Sequence, residues 1–210
     1  MSVRRPGDGD EALSRVAALV PDFPEPGVVF RDITPVLADS EAFTVVALAL
    51  AALIGEADVV VGVEARGFLL GSAVALTAGT GVVPVRKAGK LPRVAASRSY
   101  DLEYGTATLE LPADTVGPGT RAFVVDDVLA TGGTAAASCE LVESVGAEVL
   151  GFAAMIELVA GRAGAARPVP GARPAVLLSG ARAPFPGPVR PTAGTILDRM
   201  KSPGRKGDAA

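Results

Sequence analysis

The chain contains no histidine and no tryptophan, one cysteine among 210 residues, and only two tyrosines and seven phenylalanines. Each shortage closes a route. Without histidine there is no Ser-His-Asp or Cys-His catalysis and no imidazole-ligated metal, so any proton transfer falls to carboxylates, lysines, tyrosines or the substrate. The single Cys139 has no disulfide partner; it reads as a buried structural thiol and fits a reducing, cytoplasmic setting. The longest apolar stretch, Ala42 to Ile54, has the length of a core helix and is too short to span a bilayer. The N-terminus carries Arg4 and Arg5 but runs on into Pro, Gly and Asp, so no signal peptide is expected. With 20 cationic and 23 acidic side chains the net charge is −3, which argues against a general nucleic-acid binder. A P-loop is also missing: Gly89-Lys90 is followed by Leu91, and Pro84 stands where the first glycine belongs.

What is present is organised as a single α/β domain. A polar arm over 1–9 is expected to be disordered, and Glu11 to Val20 has helical apolar spacing that Pro21 ends. The Pro/Gly-rich Asp22 to Pro35 reads as loop, with an apolar Val28-Val29-Phe30 run inside it. A helix over Ser40–Ile54 follows. Strand Asp58–Val63, helix Gly67–Ala78 and strand Gly81–Arg86 then make a β-α-β unit, the signature of a parallel sheet. Lys87 to Ser99 breaks the pattern, and Tyr100 to Leu111 alternates like a hairpin arm. Strand Arg121–Asp126, helix Gly133–Val145 and strand Glu148–Ile156 form a second unit. The domain is placed at 10–180, and the Pro/Arg/Gly-rich 181–210 is read as a disordered tail.

The densest signal is Ala122 to Thr134, AFVVDDVLATGGT. Phe123, Val124 and Val125 form a strand buried on both faces, which delivers Asp126 and Asp127 to its carboxyl end, where open α/β sheets bind ligands. Ala130-Thr131-Gly132-Gly133-Thr134 then offers close backbone approach, hydroxyls and the free N–H groups of a starting helix, a cradle for phosphate. Two acids beside that cradle would repel a bare phosphate yet accept hydrogen bonds from the hydroxyls of a sugar that carries one. The implied ligand is a phosphorylated ribose.

Three further segments bear charge. Val63-Glu64-Ala65-Arg66-Gly67-Phe68 sets Arg66 at a strand-to-helix turn on the same edge, where it could hold a diphosphate or merely pair with Glu64 at the surface. Arg86, Lys87 and Lys90 crowd three cations into five positions, suited to charge accumulating on a leaving group and equally readable as a solvated basic loop. Ser99-Tyr100-Asp101-Leu102-Glu103-Tyr104-Gly105 adds an acid and two aromatics to the arm.

Taken with Phe23-Pro24-x-Pro26-Gly27-Val28-Val29-Phe30-Arg31-Asp32-Ile33-Thr34, these motifs resemble the type I phosphoribosyltransferases, and in order and spacing from Phe23 to Ile156 their adenine branch. That resemblance implies a mainly parallel sheet flanked by helices, a small hood from about 20–35 and a mobile arm over about 87–111. It implies transfer of the 5-phosphoribosyl group of phosphoribosyl diphosphate (PRPP) to N9 of adenine, with Mg²⁺ as cofactor, in a cytoplasmic homodimer that binds neither nucleic acid nor membrane. Carried over, Phe30 stacks on adenine and the backbone of Val29 and Arg31 reads its edge. Asp126 and Asp127 hold the ribose hydroxyls, directly or through water and metal, and Ala130, Thr131, Gly132, Gly133 and Thr134 hold the 5-phosphate. Arg66, Lys87 and Lys90 face the diphosphate, which carries the Mg²⁺, and Glu103 relays a proton to the purine. A cis peptide is expected at Glu64-Ala65 or Ala65-Arg66.

The resemblance thins after Glu157, where Glu157-Leu158 and Gly161-Arg162 echo the family with shortened spacing. Two alternatives stand beside it: transfer to another purine base, and a PRPP-sensing regulator without turnover. The regulator would usually bring a DNA- or RNA-binding module, for which the roughly twenty residues ahead of the domain are too few.

Overall fold

Val59, Val60, Val61 and Val63 set β-branched side chains on both faces of one strand, and all four are buried, as only a central strand of a sheet covered on both sides allows. Around it the computed structural model describes residues 16–22, 26, 29–101, 105–157 and 174–179. In chain order the elements are β1 (Ala18–Pro21), β2 (Val29–Asp32), α1 (Thr34–Ala38), α2 (Ser40–Ala51), β3 (Val59–Val63), α3 (Arg66–Ala78), β4 (Gly81–Lys87), β5 (Val94–Asp101), β6 (Thr106–Pro112), β7 (Arg121–Leu129), α4 (Gly133–Glu143), β8 (Glu148–Glu157) and β9 (Pro174–Ser179). Seven strands form one sheet in the order β5-β6-β4-β3-β7-β8-β9, and β1 and β2 form a separate antiparallel pair. Strands β4, β3, β7, β8 and β9 run parallel, with the β5–β6 hairpin added antiparallel at the β4 edge. The expected parallel sheet with flanking helices is therefore observed.

The two faces carry separate cores. Val60, Phe123, Val125, Ala153 and Met155 pack with α2 and α3 residues such as Val46, Leu50, Leu70 and Val74. Val61, Val63, Val124, Phe152 and Ala154 pack with Ala135, Leu141 and Val142 of α4. Helix α2 is started by Asp39, whose carboxylate accepts from the Ala42 N–H at 2.8 Å, a cap worth about 1 kcal/mol. Helix α3 ends where Gly79 takes a left-handed φ of 78°. Cys139 is fully buried on α4; burial, then the charges of Glu143 and Glu140, pushes its thiol up to about 12, as an inert structural cysteine requires.

One topological fact positions the site. From β3 the chain crosses by α3 to β4 on one side, and from its neighbour β7 it crosses by α4 to β8 on the other. The carboxyl ends of β3 and β7 thus flank the point where winding reverses, the crevice in which such sheets take ligands. At the opposite end, Arg121 clasps Asp58 through Nη2 at 2.9 Å and through its own backbone N–H at 2.9 Å, and reaches Glu56 at 3.0 Å. These hydrogen bonds pull Asp58 down to about 2.

Several expectations need correction. Ala18–Pro21 is a strand and not the end of a helix: it pairs with Val29–Asp32, with Val20 opposite Phe30, and a partner further along the chain overrides local spacing. The stretch read as loop up to Pro35 contains β2 and opens α1, whose first turn accepts Pro35 because the missing N–H has no intrahelical partner there. Val94–Ser99 lies in β5 and pairs with β6, so the expected arm is a longer hairpin than Tyr100 to Leu111. The strand expected to stop at Asp126 continues to Leu129 because β8 goes on pairing with it, Leu129 opposite Glu157. Strand β9 was not expected at all, although Pro174–Ser179 carries an apolar Ala-Val-Leu-Leu run. The arm over 1–9, the segment from Leu158 to Gly161-Arg162 and the 181–210 tail lie outside the described residues.

Candidate active site

The strand ends differ in length, and that difference makes the site. Pairing of β3 with β7 stops at Gly62 opposite Val125, while β7 continues along β8. Asp126 and Asp127 follow that break, inside a strand on one side and at an open edge on the other. Both are buried, at 6% and 7% exposure. Asp126 Oδ1 accepts the Asp127 N–H at 2.8 Å. Burial, and then the neighbouring Asp127 charge, holds the Asp126 carboxyl well above the usual carboxylate range.

Facing them is the turn from β3 into α3, where the Glu64-Ala65 peptide is cis, at one of the two bonds anticipated. Arg66 opens the helix and brings Nε to 2.7 Å from Asp127 Oδ2. This pair replaces the surface contact with Glu64 that the sequence also allowed. Asp127 Oδ2 is buried and still lacks an aligned hydrogen bond, so the Arg66 contact is a charge pair at close range and leaves an acceptor lone pair uncommitted. Gly67 is what brings the turns together: a Cβ there would stand 2.9 Å from both Asp126 Oδ1 and Val125 O. Gly62 is equally constrained, with Gly67 O 2.9 Å from where its Cβ would be.

Glu64 looks the other way. It accepts Arg86 Nε at 3.3 Å and the Lys87 N–H at 2.9 Å, tying the end of β4 to the end of β3. Arg86 is thereby engaged, lies over the Phe68 ring at 5.8 Å and donates to Lys90 O at 3.2 Å. Lys87 and Lys90 are left exposed at this corner of the sheet. Below the acids, Thr131 is exposed, Gly132 adopts a left-handed φ of 80° as it caps α4, and Thr134 sits in the helix's first turn. The first N–H groups of that helix have no intrahelical acceptor, which leaves them free for an anion.

The described part of the hood stands nearby. Asp32, at the end of β2, is held below its ordinary range chiefly by hydrogen bonds from the Thr34 hydroxyl and N–H, with a smaller pull from the charge of Arg66. Phe30 is half-buried on the same strand. Val29 and Arg31 flank it and, two residues apart in a strand, turn their backbone groups to a common side. The structure brings together Arg66, Asp126, Asp127 and 130–134 and sets Lys87, Lys90 and β2 at the rim, while Glu103 lies outside the described residues.

Two contributors were not assigned a task from the sequence. Glu64 organises the Arg86-Lys87 corner. Tyr100, on β5, meets Thr134 Oγ1 at 3.2 Å from the arm. The aromatic in the Ser99–Gly105 run was visible, but its target was 34 residues away.

Comparison with known proteins agrees with this geometry. A phosphoribosyl transferase domain matches residues 37–171. The chain is similar to the adenine phosphoribosyltransferase of Rhodococcus jostii, 56% identical over 71% of this chain and 85% of that protein. It is 61% identical to that of Kineococcus radiotolerans over 66% of this chain and 76% of that one. Among solved structures, adenine phosphoribosyltransferase from Thermoanaerobacter pseudethanolicus superposes with a TM-score of 0.72 at 43% identity, covering 80% of this chain and 98% of the other. The Saccharomyces cerevisiae enzyme, complexed with an imino-altritol bisphosphate and adenine, superposes at 0.71 with 35% identity, covering 81% and 99%.

Proposed function

The chain belongs to the phosphoribosyl transferase family, and from that premise we propose that it is a purine-salvage enzyme that transfers the 5-phosphoribosyl group of PRPP to N9 of adenine, giving AMP and diphosphate. It is an enzyme of the pentosyl-transferring class, like its adenine-specific relatives. The observation that carries the reading is the pairing, at one sheet edge, of two buried acids with Arg66 and a glycine-rich helix start.

Each part of the substrate has a counterpart. The N–H groups and hydroxyls of 130–134 take the 5-phosphate. Asp126 and Asp127 take the ribose hydroxyls, one lone pair of Asp127 being uncommitted. Arg66, Lys87 and Lys90 face the diphosphate. Phe30 stacks on the base while the backbone of Val29 and Arg31 reads its edge. Bond breaking leaves positive charge on the sugar, which buried carboxylates favour, and negative charge on diphosphate, which the cations favour. Orientation and electrostatics thus outweigh base catalysis, and Glu103 has the modest task of relaying the purine's proton.

The donor set suits Mg²⁺, a hard cation that takes carboxylate, phosphate and water oxygens. In this reading the ion would be carried by the diphosphate, and Asp126 or Asp127 would hold it through water; among the described residues no group of three or more acidic or cysteine side chains could hold a metal ion. When bound, it neutralises charge on the leaving group. Closure of the 87–111 arm excludes water and spares PRPP from hydrolysis. Among the described residues no helix is long and apolar enough to cross a membrane; a cytoplasmic homodimer is the assembly and location that go with this reading.

The test is AMP formation from PRPP, Mg²⁺ and adenine, run beside hypoxanthine, xanthine, guanine and orotate with diphosphate release as readout. Turnover confined to adenine supports the proposal. Turnover with another base would keep the chemistry and discard the specificity, and PRPP binding without release would make the chain a sensor.

A further inference from the structure

The β5–β6 hairpin does more than border the sheet: it touches the phosphate loop. Thr134 Oγ1 donates to the Tyr100 hydroxyl at 3.2 Å. A Cβ at Gly133 would lie 3.4 Å from Asp101 O and 3.5 Å from Tyr100 Cδ2, so the arm rests within one methyl of the loop backbone. About two turns further along α4, Glu140 forms an ion pair with Arg98 of β5. A cavity of about 230 Å³ between Arg98, Tyr100, Asp101, Gly133 and Glu140 leaves room behind these contacts for side chains to turn.

The direction of the Thr134 bond matters. A threonine hydroxyl has one proton and two lone pairs. While Thr134 spends its proton on Tyr100, it has none for an anion in the loop. An arriving phosphate oxygen, which only accepts, recruits that proton. The Thr134 oxygen is then left with a free lone pair, which the Tyr100 hydroxyl, an acceptor in the present geometry, fills by re-aiming within the adjoining cavity. The pair reverses polarity into a chain from Tyr100 O–H to Thr134 oxygen and from Thr134 O–H to phosphate, in which each bond strengthens the next.

Resting on the assignment of 130–134 as the 5-phosphate site, we propose that Tyr100 is a positioning residue that reads occupancy of that site: phosphate in the loop reverses the Thr134–Tyr100 hydrogen bond and fastens the arm over the ribose. Tyr100 acts through Thr134 and need not touch substrate. The device is specific to ligands that bear a 5-phosphate. PRPP and ribose 5-phosphate engage it; adenine and free diphosphate do not.

The experiment is equilibrium binding of ribose 5-phosphate and, separately, of diphosphate with Mg²⁺, to the full chain and to Tyr100→Phe, Thr134→Val and the double variant. Tyr100→Phe keeps the ring against Gly133 and removes only the hydroxyl. It should weaken ribose 5-phosphate roughly fivefold, the worth of one neutral hydrogen bond, leave diphosphate unchanged, and raise KM for PRPP while sparing KM for adenine. In the Thr134→Val background it should cost nothing more. Equal weakening of both ligands would mean a merely structural tyrosine, and unchanged ribose 5-phosphate affinity, or full additivity of the two substitutions, would also overturn the inference. If the unsubstituted chain fails to bind ribose 5-phosphate while still binding diphosphate, the phosphate-site assignment itself is lost, and the inference with it.

Discussion

The turn after β3 and the turn after β7 do the same job by opposite means. Each leads from a buried parallel strand into a helix at the carboxyl end of the sheet, and the two strands are hydrogen-bonded neighbours. The first is short, with Arg66 in the helix's opening position and Gly67 pressed against the second turn. The second is longer, with two acids still inside the strand and a left-handed Gly132 before the helix starts. One turn presents a half-exposed cation and the other buried carboxylates, and the charge of Arg66 makes the burial of Asp127 tolerable. A site of this kind is a property of the pair: either turn alone would be an ordinary surface loop.

The severest way to break the comparison is to force the turns apart. Gly67→Ala places a methyl 2.9 Å from Val125 O and Asp126 Oδ1, one of them backbone that cannot step aside. The expected cost is about 1–3 kcal/mol of stability in denaturant titration. Turnover should fall on the order of 10²-fold as the acids shift against the sugar. Full activity in that variant would show that the turns need not touch.

Neutralising one member should separate stability from function. The Asp126 carboxyl is raised by folding, so its contribution to stability is complete in acid and is lost as pH climbs through the raised value. Asp126→Asn carries no such charge. Its Tm should match the parent at low pH and exceed it near neutrality by about 2–4 °C, the shift that 1 kcal/mol makes in a domain of this size. PRPP affinity should meanwhile drop roughly tenfold or more, the loss expected for a charged hydrogen-bond acceptor. A Tm difference independent of pH would mean that Asp126 is not the group being strained.

The arm supplies a contrast of another kind, because Glu103 belongs to neither turn. Glu103→Gln should lower kcat with little change in PRPP affinity, read by steady-state kinetics beside direct binding. Unchanged turnover would remove it from the mechanism. The smallest effect is expected at the far end of the sheet. Asp58 lies below its ordinary range through the hydrogen bonds of Arg121, so its support is present above the usual carboxylate range and fades as pH falls toward about 2. Asp58→Asn should lower Tm slightly at pH 7, show a vanishing difference in strong acid, and leave kcat unaltered.

What was legible in the sequence was what local pattern decides. Valine runs announced β3 and β7, the segments flanking them announced α2, α3 and α4, and the order of acids, hydroxyls and glycines from Asp126 to Thr134 announced that two acids and a helix start would follow one buried strand. What was not legible depended on partners far along the chain. Ala18–Pro21 becomes a strand because Val29–Asp32 lies against it. β7 overruns its expected end because β8 keeps pairing. Whether Arg66 met Glu64 or Asp127 could not follow from spacing, since the answer required knowing that β3 and β7 are neighbours in the sheet.

The buried thiol of Cys139 gives the protein a practical convenience. It is the chain's only cysteine, it is fully enclosed, and a thiol held near 12 forms almost no thiolate at neutral pH. Maleimide dyes should therefore ignore the native protein. A cysteine introduced at exposed Ala88 on the arm and another at exposed Ala130 on the loop would report the distance between them by fluorescence transfer in an otherwise unaltered background, so that arm movement can be followed as it happens in single molecules.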